Sequence, residues 1–469
     1  MAEKLLEKIE AFRYKLLRRA APIVEIPTVV VESALEETGK LKDTFDSQKP
    51  VKKAKHFWKL LGPGLTTGAA DDDPSGVATY SQTGARYGFQ LLWLALFTFP
   101  LMAVVQEMCA RIGLVTGRGL AANIRLHFPR WVLYLCAFLL LVANSLNIGA
   151  DLGAMAKATQ LIFPQLNFTI VILGFTLLSL ILQIFVSYER FARFLKLIAL
   201  ILLAYVLTAF TVQLDWVEVI RHTTIPSITF SSEQIFLIVA ILGTTISPYL
   251  FFWQTSQEVE EEILEGKTTL EERQKTTDSQ IKNMRIDVWS GMFVSNAVMF
   301  FIIMVCAATL YVNGVTDIES AEQAAAALKP LAGEGAYFLF ALGIIGTGLL
   351  AVPVLAGSAA YAISESFHWK EGLYRKLKDA YAFYGVIIVS MAIGLGLNFI
   401  GLDPIDALIY SAVLNGLVSP VILVLILLLS QNKKIMGDRK NNLLTTILGW
   451  FITIVMIVAG GATVFSLIF

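Results

Sequence analysis

The sequence predicts an all-α polytopic membrane protein of about eleven transmembrane helices, an inverted five-plus-five repeat with helices 1 and 6 broken. Three observations carry this expectation. Hydrophobic residues make up 56% of the 469-residue chain and charged residues only 16%, the profile of a membrane protein rather than a soluble domain. Apolar runs lie near 57–85, 89–111, 131–162, 168–187, 193–214, 235–257, 287–312, 335–364, 379–398, 404–430 and 444–468, each meeting or approaching the ~20 residues a bilayer crossing needs. The first and sixth runs are both interrupted by a Gly shortly followed by Pro.

Taken in order, residues 1–56 precede the membrane domain. Over 1–20, Leu5, Ile9, Phe12 and Leu16 share one helical face opposite Lys, Glu and Arg, which predicts an amphipathic helix on the inner membrane surface; a soluble cytoplasmic helix is the alternative. Residues 40–56 read as a charged linker. The transmembrane domain, 57–469, divides into a first repeat (57–214), an inverted second repeat (235–430) and an extra helix (444–468). No cleavable signal peptide is visible. With the N-terminus inside, cytoplasmic loops hold twenty Lys/Arg and outer loops only Arg86, Arg221 and Lys329. That asymmetry predicts a cytoplasmic N-terminus and an outside C-terminus in a plasma (inner) membrane. Zero net charge gives no reason to expect nucleic acid, and nothing indicates an oligomer. Cys109, Cys136 and Cys306 fall in or at spans without disulfide or CxxC spacing and read as packing residues.

The first break places Asp71, Asp72 and Asp73 directly before Pro74-Ser75-Gly76. Carboxylates at membrane depth are costly and mark ion or proton paths. A broken helix also frees backbone carbonyls, tolerated only where the chain lines a cavity or packs in protein. Together these make a cation site. The second break, Gly243-Thr244-Thr245-Ile246-Ser247-Pro248-Tyr249, brings Thr244 to the corresponding position of the opposite-topology half. Paired interruptions of this kind point to a transporter's binding site; simple Pro kinks are the bland reading. Four further polar positions are candidates. Asp151 either pairs with Lys157 two turns on or faces the centre. Asn415 in the tenth span is a ligand or interhelical glue. Tyr249 and Gln254 line the path or pack. Glu107 closes the second span near the cytoplasmic edge, where snorkelling makes its charge cheap. His56, His127, His222 and His368 lie in loops or at membrane edges, which leaves no histidine relay through the centre.

Gly62-Pro63-Gly64 followed by Asp73-Pro74-Ser75-Gly76 resembles the first-span signature of the natural resistance-associated macrophage protein (NRAMP) family of metal transporters. Ala110 to Ala121, Ala150-Asp151-Leu152 and Tyr188 to Leu197 resemble further stretches of it. The resemblance implies a metal site between the broken helices, with the aspartate at Asp73 retained. It also exposes departures. The family's first-span Asn is Gly76, its span-6 Met is Ser247, its following His is Tyr249, and the Glu after its span-3 Asp is Ala154. Loss of thioether sulfur and gain of Asp71 and Asp72 make the site harder, suited to Mg²⁺ or Mn²⁺. The Asn-to-Gly change is expected to leave room for a partly hydrated ion. This pattern looks like the NRAMP-related magnesium-transporter branch.

The expected function is therefore divalent cation transport by alternating access, Mg²⁺ and/or Mn²⁺ preferred, weakly or not proton-coupled. The membrane potential alone supplies ~4.6 kcal/mol at 100 mV for two charges. The alternative is a proton-coupled Mn²⁺/Fe²⁺ symporter; below it stands an organic cation or amine transporter of the same fold. No enzyme activity and no cofactor beyond the transported ion are expected. Asp151 lacks the Gly-x-Gly-Asp context of an intramembrane aspartyl protease.

Overall fold

A computed structural model describes residues 61–186, 203–212, 214–318, 321–329, 333–401 and 403–468. The expected N-terminal amphipathic helix, the linker and much of the 193–214 span lie outside the described residues. The first repeat contains α1 (Pro63–Asp71), α2 (Pro74–Tyr87), α3 (Trp93–Thr116), the short α4 (Leu120–His127), α5 (Arg130–Ile162), α6 (Phe168–Phe185) and α7 (Leu203–Ala209). After α8 (Trp216–Thr224) come α9 (Ser232–Thr245), α10 (Pro248–Leu264), α11 (Asp278–Cys306), α12 (Ala336–Phe367), α13 (Tyr381–Leu397), α14 (Pro404–Gln431) and α15 (Leu443–Ile468). Among the described residues eight helical stretches are long and apolar enough to cross a membrane. α13 is a further, shorter apolar helix of 17 residues.

Both breaks form where the sequence places them. Asp72 leaves the helical region and Asp73 is extended at the N-cap of α2, so Pro74 occupies the first turn, where its missing N–H is not needed. Ile246 and Ser247 separate α9 from α10, which again starts on Pro. Helix ends elsewhere are capped by side chains: Asn167 for α6, Ser231 for α9, Thr277 for α11 and Asp403 for α14.

The packing that places the site relies on small residues. A Cβ at Gly64 would sit 2.6 Å from the Val288 backbone, and one at Gly68 would sit 2.4 Å from the Gly291 carbonyl. The first half-helix therefore lies backbone against backbone on α11, as membrane helices pack when glycines allow. Its start is fixed by Asp287 on α11. That carboxylate accepts from the N–H of Gly62 (2.7 Å), Gly64 (2.7 Å) and Leu65 (3.1 Å), satisfying donors that a helix start leaves open. Similarly, Gly243 of α9 meets Ala412 and Gly416 of α14. Asn144 on α5 donates to the Leu355 carbonyl and to Ser358 on α12. The most hydrophobic 18 residues of α6 and α15 are only 22% and 28% buried, which leaves these two helices as lipid-facing walls.

Candidate metal site between the two breaks

Asp73 is held by both neighbouring backbone and a distant helix. Its Oδ1 accepts from Ser75 Oγ and the Gly76 N–H, each at 2.7 Å, and its Oδ2 accepts from Asn147 Nδ2 on α5 at 2.9 Å. Asp71 Oδ2 accepts from Ser295 Oγ on α11 at 2.6 Å, whereas Asp71 Oδ1 and both oxygens of Asp72 have no partner. Both oxygens of Asp151 are likewise unpartnered. All four carboxylates are at most 1% exposed. Lys157 is exposed and lies 5.9 Å over the Phe168 ring, so it does not pair with Asp151. Asp151 is thus buried without the Lys157 pairing.

The carbonyls freed by the breaks are met across the interface. Tyr249 OH donates to the Ala70 carbonyl at 2.8 Å and Thr244 Oγ1 to the Asp71 carbonyl at 3.2 Å. Ser247 Oγ turns back onto the Gly243 and Thr244 carbonyls, and Ser419 Oγ on α14 donates to that of Ile246. Tyr80 OH lies 3.3 Å from Thr244 Oγ1. The end of α1 is thus met by hydroxyls of the second repeat, whereas the end of α9 is met by Ser247 and Ser419 of its own repeat.

Asp73, Asp71, Asp72, Gly76, Thr244, Ser247 and Tyr249 are brought together at this junction. Asn415 is fully buried in an uninterrupted α14, and neither atom of its amide finds a partner. Gln254 stands farther along α10. Its Nε2 donates to Glu258 at 2.8 Å and its Oε1 is unpartnered.

Two expectations change. Gly76 opens no room here: a Cβ would lie 2.9 Å from Thr244 Oγ1 and 3.1 Å from the Asp71 carbonyl, because the two breaks close over it. Glu107 does not snorkel. It is 5% exposed and bound by Arg285 (2.9 Å), Trp289 Nε1 (2.8 Å) and Arg111 (3.5 Å). Sequence reasoning also passed over Asn147, Ser295, Ser411 and Ser419. The one available signal was that Asn147 precedes Asp151 by four residues, on the same helical face.

Among the described residues, no three His, Cys, Asp or Glu side chains converge closely enough to hold a metal ion. A cation at Asp73 would therefore need neutral oxygens in its shell besides carboxylates: carbonyls, hydroxyls, amides and water. The cavities at the two ends do not reach it. One, of about 560 Å³, is lined by Gln82, Arg86, Asp317 and Asp406 among others; the other, of about 330 Å³, by Arg118, Arg125, Glu371 and Arg375. No residue of the junction lines either one.

The family model described as natural resistance-associated macrophage protein-like matches residues 64–466. The chain belongs to this family. Its curated NRAMP-like relatives include two proteins named divalent metal cation transporter MntH. That of Caldanaerobacter subterraneus subsp. tengcongensis is 27% identical over 421 residues, covering 87% of this chain and 93% of the relative. That of Klebsiella pneumoniae is 28% identical over 414 residues, covering 86% and 92%. Among solved structures, a manganese transporter of Eremococcus coleocola superposes with TM-score 0.66 at 20% identity, covering 86% of each chain. A nucleobase-cation-symport-1 family transporter superposes with TM-score 0.53 at 13% identity, covering 86% of this chain and 92% of that one. These likenesses confirm the NRAMP-like fold, an all-helical inverted repeat.

Proposed function

We propose that this protein transports divalent metal cations by alternating access, with Mg²⁺ and/or Mn²⁺ preferred and little or no proton coupling. One observation carries the reading. Asp71, Asp72, Asp73 and Asp151 are buried at the junction of two broken helices, and no basic side chain pairs with them among the described residues. Uncompensated charge in a dry interior is strongly unfavourable, and a divalent cation is the substrate that offsets it. The names of the MntH relatives and of the manganese transporter support the substrate class.

The proposed ligands are Asp73, with Asp72, Asp71, Gly76, Thr244, Ser247 and Asn415 around it; Tyr249, Asp151 and Gln254 mark the path. The set contains oxygen donors and no sulfur, which favours hard cations. The tight space at Gly76 suits a monatomic ion better than an organic amine. A proton-coupled symporter is the second reading, favoured by Asp151, a second buried carboxylate with no hydrogen-bond partner. By its apolar helices the protein is a multi-pass integral membrane protein; residence in the plasma membrane with a cytoplasmic N-terminus is part of this proposal. The test is uptake of Mg²⁺, Mn²⁺ and Ca²⁺ into liposomes carrying an internal pH dye. Uptake without acidification is expected. No uptake of any divalent cation would overturn the proposal.

A further inference from the structure

We infer that Asn147 is a ligand and selectivity determinant for the transported ion, supplying from α5 the amide oxygen that position 76 lacks. The inference rests on Asp73 being a metal ligand. Asn147 is fully buried and stands between two polar groups. Its Nδ2 lies 2.9 Å from Asp73 Oδ2, and its Oδ1 lies 2.8 Å from Ser411 Oγ on α14. Ser411 Oγ also lies 2.8 Å from the Leu408 carbonyl. A hydroxyl has one proton and two lone pairs, so Ser411 serves only one of these two acceptors at a time.

That single proton makes both amide orientations satisfiable. As drawn, the amide N–H donates to Asp73 and Ser411 donates to Asn147 Oδ1, while the Leu408 carbonyl keeps its place in the helix. With the amide turned over, Nδ2 donates to Ser411 Oγ and Ser411 donates to the Leu408 carbonyl. The Asn147 N–H, the Ser411 hydroxyl and the Leu408 carbonyl are then matched, while Asn147 Oδ1 faces Asp73 Oδ2, two acceptors left without a donor for a cation to bridge. Amide nitrogen and oxygen are nearly isosteric, so the two oxygens would stand at the same 2.9 Å separation. Neighbouring vertices of an octahedron with metal–oxygen bonds of ~2.0–2.1 Å lie ~2.9 Å apart, the geometry Mg²⁺ demands. The Asp73–Asn147 pair thus has the spacing of one edge of a magnesium shell. Without the ion the amide locks Asp73 as a donor; with it the amide presents oxygen.

The decisive measurement is the sign of the change in Mg²⁺ affinity in Asn147→Leu, titrated calorimetrically on the full-length detergent-solubilised protein. If Asn147 only donates to Asp73, it competes with the ion. Its removal then leaves affinity unchanged or tighter, and that outcome overturns the inference. If it is a ligand, Mg²⁺ affinity falls about tenfold or more, the scale on which shell residues act. The Cd²⁺:Mg²⁺ affinity ratio also rises, because a hard oxygen has gone. Ser411→Ala should weaken Mg²⁺ binding in the same direction and Ser411→Thr should retain it; equal behaviour of the two also counts against the inference. Asn147→Ser, with a hydroxyl too short to reach, repeats the test should the leucine variant fold poorly. Asp73→Ala, run alongside, separates the two layers of argument. Undiminished binding in that variant overturns the metal-site reading itself. Lost binding there with undiminished binding in Asn147→Leu overturns only the role of Asn147.

Discussion

Replacing Asp73 by asparagine and by alanine should separate its two roles. Asp73 is the N-cap of α2 and takes three hydrogen bonds, from Ser75, Gly76 and Asn147. Asparagine caps a helix about as well as aspartate, and its Oδ1 can keep the Ser75 and Gly76 bonds. Its amide would meet the Asn147 amide head-on, a conflict relieved by turning Asn147 over. We expect Asp73→Asn to cost less than ~1 kcal/mol of stability. Alanine removes the cap by leaving the buried Gly76 N–H unpaired, about 1 kcal/mol, and strips the Asn147 amide of its acceptor, about 1–3 kcal/mol. Asp73→Ala is therefore not structurally silent. Binding should respond to charge alone. At an effective dielectric constant near 20, two unit charges 4 Å apart interact by about 4 kcal/mol, and a divalent ion exceeds that. Both variants should lose at least ~10³-fold in Mg²⁺ affinity and fall below calorimetric detection. Thermal melts run in parallel should rank wild type, Asp73→Asn and Asp73→Ala in that order. Wild-type Mg²⁺ affinity in a well-folded Asp73→Asn would refute the assignment.

Ser247→Met places a thioether at the second break and should raise Cd²⁺ uptake relative to Mg²⁺; an unchanged competition ratio would mean that position 247 does not face the ion. Metal uptake into liposomes should occur with no proportional acidification once the potential is clamped, and acidification scaling with uptake would favour the symporter. Gly68→Ala forces a Cβ to within 2.4 Å of the Gly291 carbonyl and should lower stability by about 1–3 kcal/mol, read as a drop in Tm; an unaltered Tm would show that α1 shifts freely on α11. Glu371 lies outside the spans, and burial holds its carboxyl above the ordinary 4.5, partly opposed by the charges of Arg375 and Arg125. The unfolded chain then loses this proton at lower pH than the folded protein does. Glu371 therefore contributes a loss of stability as pH rises from about its unfolded pKa through its folded one. Glu371→Gln should flatten the Tm–pH curve in that window; a curve identical to wild type would discount this contribution.

The breaks and the aspartate cluster were legible because Pro, Gly and consecutive carboxylates have no ordinary place in an apolar span. The partners of those groups were not. Ser295, Ser411 and Ser419 look in sequence like the small polar residues that pad membrane helices, and only the fold shows what they bind. Asp287 is simply the first residue of the 287–312 run in sequence, yet it caps a helix 225 residues earlier in the chain. The sixth span was expected to stop at residue 257. Instead α10 runs to Leu264 with Glu258, Glu260 and Glu262 turned inward. Glu260 accepts from Tyr361 and from the Leu373 and Tyr374 N–H groups. Acidic residues at a helix end normally signal solvent, and here long-range donors override that signal.

The seat of α1 on α11 also sets how the half-helix can move. The three N–H bonds to Asp287 pin the start of α1, while its Asp71 end is tied to α11 by the hydrogen bond from Ser295, so tilting has to break that bond. Such an element is a lever with its pivot near residues 62–65. Nine residues at ~1.5 Å rise give an arm of ~13 Å, so a tilt of ~10° carries the Asp71 end through ~2 Å. A displacement equal to a whole metal–oxygen bond, ~2.0–2.1 Å for Mg²⁺, cannot leave the shell intact. In the proposed alternating-access cycle, small rotations about the pinned end would be enough to disturb an ion held at Asp71. Labels at residues 64 and 71, each measured against α11, should show the outer one moving several times farther between metal-loaded and metal-free protein; equal movement would mean translation rather than rotation.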